Sequence, residues 1–550
     1  MIDKFLKYKY YWLGGLIAII YFFNLFIDMM EIDAAQYAYI SMEMLNSKSF
    51  LEVYFYGKDY LDKPPLIFWV SSLSYWLFGV SNFAYKLPSV LALLLGIYST
   101  YRFGKIWYNK QKALLAAIIL ASSQAVFLIS NDIRTDTLLL SWVIFSFWQI
   151  SAYLKTEKWI HFLLGSLGIG LGMMSKGPIA LIVVGSGFFF HFLLNKQWKN
   201  IFKWQWILSA IIILLSLLPM LYGLYHQYDL HPEKEVYGLL GPSGIKFFFW
   251  TQSFGRITGE MYWDNGTGFF FFFHTILWDF QPWIWLFLAA LFYRFKNLIF
   301  NRKELLSTTE MISFSAFVLV FIALSNSSFK LPHYIFVLFP LASIITSDFV
   351  FQLSDLAKRK FARFQYGIMH IFWLIIPTYF ILIFHPNNFF LPLLLLLLFV
   401  LFQFLFFKTQ KINKLVLPSL LTIISLNLVM TFSFYPELLK YQSTSIAGRE
   451  ILEMEKEGEK IYNFKKHSYS LDVNARKHVR RIKPSELDSI PSGTKMFVKG
   501  ELLYILDSAA VDYNIIKTYE DFRITQVSLP FLLKNKRQEV LRKNYIVEKK

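Results

Sequence analysis

Asp33 closely follows an apolar run and opens the stretch "DAAQYAYISMEML", in which Tyr37, Ala38, Ser41 and Met42 recur at helical spacing. An acid held just beyond an apolar segment can act as a general base on an incoming hydroxyl or phosphate. Helix capping is the competing reading, because the helix macrodipole favours an acid at that position. Further on, "DYLDKPPLIFWV" sets Asp62 and Lys63 before Pro64 and Pro65. The prolines exclude helix at Lys63 and open the next segment with a fixed turn. Lys63 is then a point charge at a boundary, suited to a phosphate, although snorkelling toward lipid headgroups is the commoner fate of such a lysine.

The stretch "SNDIRTDTLLL" places Asp132, Arg134 and Asp136 in a very short loop. Capping alone accounts for Asp136 behind Thr135, while a second acid beside an arginine also suits a polar site. In "MMSKGPIAL", Lys176 reads as a headgroup-facing lysine in a tight turn. "KFFFWTQSFGRITGEMYWDNGTG" sets Arg256 among aromatics, either as a bidentate phosphate partner or as an interfacial cation on rings. "SNSSFKLPHYIFVLFP" puts Lys330 and His333 around a proline at the entrance of an apolar run; a lone histidine there is more often structural. There is no HExxH, no P-loop, no GxGxxG after a strand and no dense His or Cys set. That disfavours a soluble nucleotide-sugar enzyme and an ATP-driven pump.

The elements that position these residues are apolar. With 56% hydrophobic and 17% charged residues, the chain reads as a mostly α, polytopic membrane protein. Without cysteine it has neither disulfides nor thiolate sites. About 13 apolar runs are long enough to span, near 11–30, 84–104, 112–130, 136–154, 160–174, 178–195, 205–223, 276–294, 311–325, 333–350, 366–385, 389–407 and 414–434. The first is read as uncleaved. The formal charge of +18 sits largely in alternate short loops, which argues for an inside N-terminus rather than a nucleic-acid partner. Every candidate residue then falls on the outward face. The long loop 31–83 is expected to carry an interfacial helix. Residues 1–435 form the membrane domain, and 436–550 a small extracytoplasmic α/β domain in which "KMFVKG" and "YNIIKTY" are strand-like. The basic stretch "KHSYSLDVNARKHVRR" is either a solvated face or a contact for an anionic surface.

In this order and on one face, the motifs resemble those of membrane glycosyltransferases that use polyprenyl-phosphate sugars. The similarity is to lipid A aminoarabinose transferases and protein O-mannosyltransferases. It rests on Asp33 with the "YA-x-x-S" pattern, "DKPPL" at Asp62 to Leu66, "WLFG" then "LPS", "KGP", and "KLPHY". The resemblance implies a GT-C fold and inverting transfer from a polyprenyl-phosphate sugar to a lipid, glycan or protein acceptor at the outer face of a bacterial inner membrane. It implies Asp33 as the acceptor-activating acid, Asp136 as a second essential group, and Lys63, Arg256 and Lys330 as phosphate partners. Asp62, Tyr37, Arg134 and His333 support them.

The chain departs from the aminoarabinose pattern at Ala34, Asp62 and Gln252–Ser253, where that family has Glu, Glu and Glu-His. The resemblance therefore carries over neither a metal at that pair nor aminoarabinose as the sugar, and the scheme requires no cofactor. The alternative reading is a transporter or flippase of envelope precursors. Such a protein is expected to have broken helices and mid-membrane charges.

Overall fold

The computed structural model of the protein describes residues 2–252, 255, 265–378 and 390–550. Arg256 and its neighbours in 256–264 lie outside the described residues. The first half is helical: α1 (Ile2–Asn24), α2 (Asp33–Ser47), α3 (Leu66–Phe78), α4 (Asn82–Trp107), α5 (Lys110–Ser122), α6 (Gln124–Asn131), α7 (Thr135–Thr156), α8 (Trp159–Lys176), α9 (Ile179–Leu194), α10 (Trp198–Ile201) and α11 (Gln205–Leu224). Helices at Phe271–Asp279, Ile284–Phe300, Ile312–Ser325, Phe339–Gln352, Asp355–Thr378, Phe390–Lys408 and Lys411–Val429 complete the bundle.

Every predicted span overlaps a helix, but several are not single rods. Among the described residues five helices are long and apolar enough to cross a membrane, and seven if each of two bent pairs counts as one span. The run near 112–130 breaks at Ser123 into α5 and α6, which meet at 52°. The run near 276–294 divides between Asp279 and Ile284, around Pro282. The basic stretch 358–363, read as a loop, is instead the first part of the helix Asp355–Thr378.

Close helix approach depends on small residues, as in other apolar bundles. Glycines of α8 face α7; a Cβ at Gly168 would lie 2.5 Å from Ser146 Oγ, and one at Gly165 would lie 2.7 Å from Ile150. On α11 the outer side carries Ile207, Leu214, Leu215 and Leu218, all exposed, a face that lipid would cover.

After the bundle the chain forms an α/β unit. Short hairpins β1 (Tyr54–Phe55) with β2 (Lys58–Asp59), and β3 (Glu235–Val236) with β4 (Leu239–Leu240), precede it. Its five strands are β5 (Ile461–Phe464), β6 (Arg481–Ile482), β7 (Lys495–Lys499), β8 (Tyr513–Asp521) and β9 (Arg542–Lys549), in the order β6-β5-β7-β9-β8. β5 pairs in parallel with β6 and β7, and β9 is antiparallel to both its neighbours. Burial of Phe497, Ile546 and Ile461 against Ile451 of the helix Ser443–Lys456 closes one face. "KMFVKG" and "YNIIKTY" thus lie in β7 and β8.

The β1–β2 hairpin joins this unit to the bundle. Its turn puts Tyr56 at φ 55° and Gly57 at φ 70°, the pair of left-handed residues a two-residue type I′ turn needs. Glu43 of α2 accepts both turn amides, Tyr56 N at 2.8 Å and Gly57 N at 2.7 Å. The Tyr56 hydroxyl donates to Asp472 Oδ2 at 2.5 Å, and its ring stacks on His467 with centroids 3.7 Å apart.

At the end of α4 remote from Asn82, a second charged group is fully enclosed. Arg294, which the loop count treats as an inside base, is 2% exposed. Its guanidinium donates to Asp348 Oδ2 (3.1 Å), the Tyr108 hydroxyl (2.9 Å) and the Glu310 carbonyl (3.2 Å), while Lys112 holds the other Asp348 oxygen at 2.8 Å. An apolar interior tolerates these charges because they pair. Removing the guanidinium leaves Glu310 without its cation and Asp348 with Lys112 alone, a loss of about 3–5 kcal/mol. Arg294→Ala is expected to lower the thermal unfolding midpoint sharply in detergent, whereas a control at exposed Arg302 changes it little.

Candidate active site

Of the residues singled out by type and spacing, Asp33, Asp62, Lys63, Asp132, Arg134, Asp136, Lys176 and His333 lie close together around α2, α3, α7, α8 and the 3₁₀ segment Pro332–Leu338. Arg134, in the residue preceding α7, bridges two carboxylates. Its Nη1 donates to Asp33 Oδ2, and its Nε and Nη2 approach Asp132 Oδ2 at 2.9 and 2.8 Å. Asp33 stands in the first turn of α2, so the positive end of that helix adds to the field of the guanidinium.

Asp136 is in the first turn of α7 and pairs with Lys176, whose Nζ lies 2.5 Å from Oδ1; His333 Nε2 is 3.8 Å from Oδ2. The Lys176 ammonium also sits 3.8 Å from the centre of the Tyr334 ring. The lysine read from sequence as headgroup-facing is therefore turned inward. A signal for it was present: "KGP" ends α8 at the same boundary where Asp136 opens α7, and an apolar bundle cannot leave either charge alone.

Asp33 and Asp136 differ in access. The Asp33 side chain is 36% exposed and that of Asp136 3%. Only the former can meet a substrate without rearrangement.

Lys63 lies in front of α3, which starts at Leu66 with Pro65 as its preceding residue. Its Nζ is 2.9 Å from both oxygens of Asp62. Gln252 donates its side-chain amide to the Asp62 carbonyl. Tyr37 lies between the two ion pairs: burial first, then the charges of Asp33 and Asp62, push its phenol up, so it is a neutral hydroxyl at any ordinary pH. Tyr60, absent from the sequence reading, feels the same two acids, and its buried hydroxyl has no hydrogen-bond partner among the described residues.

Lys330 is also buried, at 2% exposure, and its Nζ donates to the Thr267 carbonyl at 2.8 Å. Asn265 bonds the Lys330 backbone at both ends, so this residue braces the chain at 265–267. A further lysine escaped the sequence reading altogether. Lys86 of α4 is wholly buried and donates to the Asn24 carbonyl at 3.1 Å, where Asn24 also binds Ser130 and Thr431. A lysine inside an apolar run was the available sign.

An apolar cavity of about 560 Å³ lies between α8, α9 and α11, lined by Met173, Val184, Phe188, Ile213, Leu217 and Phe249. Three residues beyond Leu217 on α11, Met220 lines a much smaller cavity that ends on Lys63, Pro64 and Gln252.

Residues 62–222, which contain Asp62, Lys63, Asp132, Arg134, Asp136 and Lys176, match the family described as dolichyl-phosphate-mannose-protein mannosyltransferase. Over nearly its whole length the chain also superposes on the crystal structure of ArnT from Cupriavidus metallidurans bound to undecaprenyl phosphate. The TM-score is 0.73, the identity 14%, and the match covers 97% of each chain. The chain has the fold of ArnT. Curated relatives include the undecaprenyl phosphate-alpha-4-amino-4-deoxy-L-arabinose arabinosyl transferase 2 of Sodalis glossinidius, 31% identical over 34% of this chain and 35% of the relative. The corresponding transferase of Wigglesworthia glossinidia brevipalpis is 26% identical over 58% of this chain and 55% of its own length. The chain thus matches roughly a third to a half of the length of these two relatives. In sequence it resembles the ArnT-like transferases, and its helices and α/β unit follow the ArnT architecture.

Because Lys176 and Asp136 neutralise each other in a buried position, losing one leaves the other charge unpaired, and the two losses should not add. Lys176→Met and Asp136→Asn are each expected to lower the unfolding midpoint by several degrees, and the double variant by less than the sum. A thermal double-mutant cycle on purified protein measures that coupling.

Proposed function

We propose that the protein is an inverting glycosyltransferase that moves a sugar from a polyprenyl-phosphate donor to an envelope acceptor. The observation that carries this reading is the partly exposed Asp33 carboxylate, fixed by Arg134; a separate apolar cavity along α11 and a small cavity at Lys63 are consistent with it. The printed activities of the relatives and the bound lipid phosphate of ArnT support it.

In this scheme the isoprenoid chain lies in the cavity along α11 and its phosphate reaches Lys63. The phosphate exchanges with Asp62 for the ammonium, and the alternation of basic loops assigns the sequence positions of Arg256 and Lys330 to the same outward side. An acceptor oxygen attacks the anomeric carbon from the side opposite the phosphate. As the new C–O bond forms, the old one breaks, and its electron pair leaves on the lipid phosphate, where Lys63 stabilises the charge. Asp33 takes the acceptor proton through the oxygen that Arg134 does not hold. Asp136 acts as a positioning residue, since its oxygens are turned to Lys176 and His333.

The placement of basic residues supports an inside N-terminus, with the site and the unit 436–550 outside the cytoplasmic membrane. The acceptor is lipid A, another glycan or a protein. Ala34, Asp62 and Gln252–Ser253 favour a sugar other than aminoarabinose.

Transfer from a radiolabelled polyprenyl-phosphate sugar pool to envelope acceptors tests the reading. Asp33→Asn is expected to lose about 10²–10⁴-fold in rate while still binding donor; Lys63→Met is expected to raise the donor KM. No transfer by the wild-type protein, across donors that serve a known transferase, overturns the proposal.

A further inference from the structure

The Tyr56 ring at the tip of the β1–β2 hairpin sits between two others. Tyr39 of α2 stacks on it with centroids 4.1 Å apart, and His467, which follows β5, stacks on it at 3.7 Å. The Tyr56 hydroxyl donates to Asp472 Oδ2 at 2.5 Å, in the helix Tyr469–Asn474 of the α/β unit, while Asp472 Oδ1 accepts from Val479 N at 3.0 Å. The third group on this carboxylate is His478, whose Nδ1 lies 3.7 Å from Oδ2 and 3.2 Å from the Tyr39 hydroxyl. The Asp472 side chain is 1% exposed, and no lysine or arginine lies within 4 Å of it among the described residues. Its opposing charge at contact is therefore the protonated form of His478.

The two histidines stand in different fields. The bond to Asp472 foremost pushes the His478 imidazole up against the cost of burial, with Glu43 of α2 adding to it and Arg481 opposing. His467 faces cations: burial first, then Arg481, His478 and Lys58 of the hairpin, push it down to about 4. His478 thus holds its proton more firmly in the folded chain than in the unfolded one. Its contribution is complete below the ordinary imidazole range and is lost as pH rises through the raised value. His467 has the opposite sign, so its contribution is kept at neutral pH and lost only as pH falls to about 4.

The hairpin in turn reaches Lys63. Its second strand ends at Asp59, four residues before that lysine, and Gln227 clamps the open end by donating to the Val53 carbonyl at 2.9 Å and to Asp59 Oδ1 at 2.8 Å. We infer that the hairpin is a proton-controlled latch: while His478 is charged, Asp472 holds Tyr56 and with it the strand that leads to Lys63. When that proton leaves, Asp472 becomes a buried charge with no cation beside it, and the hairpin loosens from the α/β unit. The latch rests on this cluster of groups alone, and its effect on the donor rests on the glycosyltransferase reading. Mild alkali then weakens donor binding through the position of Lys63.

Hydrogen exchange tests the latch on full-length protein in phosphatidylcholine nanodiscs. Corrected at each pH for intrinsic exchange, protection of the backbone at 53–60 is expected to fall about threefold or more between about pH 6 and about pH 9 in the wild-type protein. His478→Lys keeps a cation beside Asp472 and is expected to hold its protection over that range. Asp472→Asn keeps an acceptor for Tyr56 without the charge, and its protection is expected not to depend on pH. A flat wild-type profile overturns the latch, and so does the wild-type fall recurring in both variants.

In a transfer assay over the same range, the wild-type donor KM is expected to rise by a similar factor relative to that of His478→Lys, with the ratio of their kcat values unchanged. An equal rise of KM in both proteins overturns the link to Lys63. Failure of wild-type transfer with the exchange result intact removes the glycosyltransferase reading and keeps the latch.

Discussion

Arg134 cannot be left unpaired where it sits, and neither can the acids around it. Its guanidinium ties Asp132 in its own loop to Asp33, a residue 101 positions earlier in the chain. That contact draws the start of α2 against the start of α7. A charge at the edge of an apolar bundle is stable only with a partner, so the pairing supplies a reason for two distant segments to meet in one register. Lys176 with Asp136 does the same for α7 and α8, and His333 brings in the segment after Pro332. The polar cluster is thus a set of interhelical ties, in which Asp33 alone of the two helix-starting acids stays partly open to solvent.

Local chemistry was legible in the sequence. Asp33 at a helix start, the Asp62–Lys63 pair ahead of two prolines and the Asp132–Arg134 pair are all written within a few residues, and each is found in the arrangement its neighbours imply. Hydrophobic runs located the helices for the same reason, since lipid-facing and core positions are both apolar. Long-range pairing was not legible. "MMSKGPIAL" shares a boundary with the start of α7 but does not by itself name Asp136, forty residues away, as the partner of Lys176, and loop counting put Arg294 among the inside bases although it is enclosed with Asp348 and Tyr108. Breaks inside apolar runs were also hidden, because α5 and α6 keep their hydrophobic composition through the bend at Ser123.

Through the β1–β2 hairpin, ties of the same kind reach the α/β unit. Glu43 fixes its turn to α2, Tyr56 fixes it to Asp472, and Gln227 beyond α11 accepts from Val53 N at 3.0 Å and donates to Asp59 Oδ1 at 2.8 Å. Asp59 is three residues from Asp62, and the prolines leave the chain beyond Lys63 little freedom. The position of Lys63 is therefore set jointly by α2, by the segment after α11 and by the α/β unit. Any movement of that unit on the bundle must act on the hairpin before it acts on Lys63. This makes the α/β unit a mechanical neighbour of Lys63, and a hairpin of two-residue strands is accordingly held by hydrogen bonds from three separate elements.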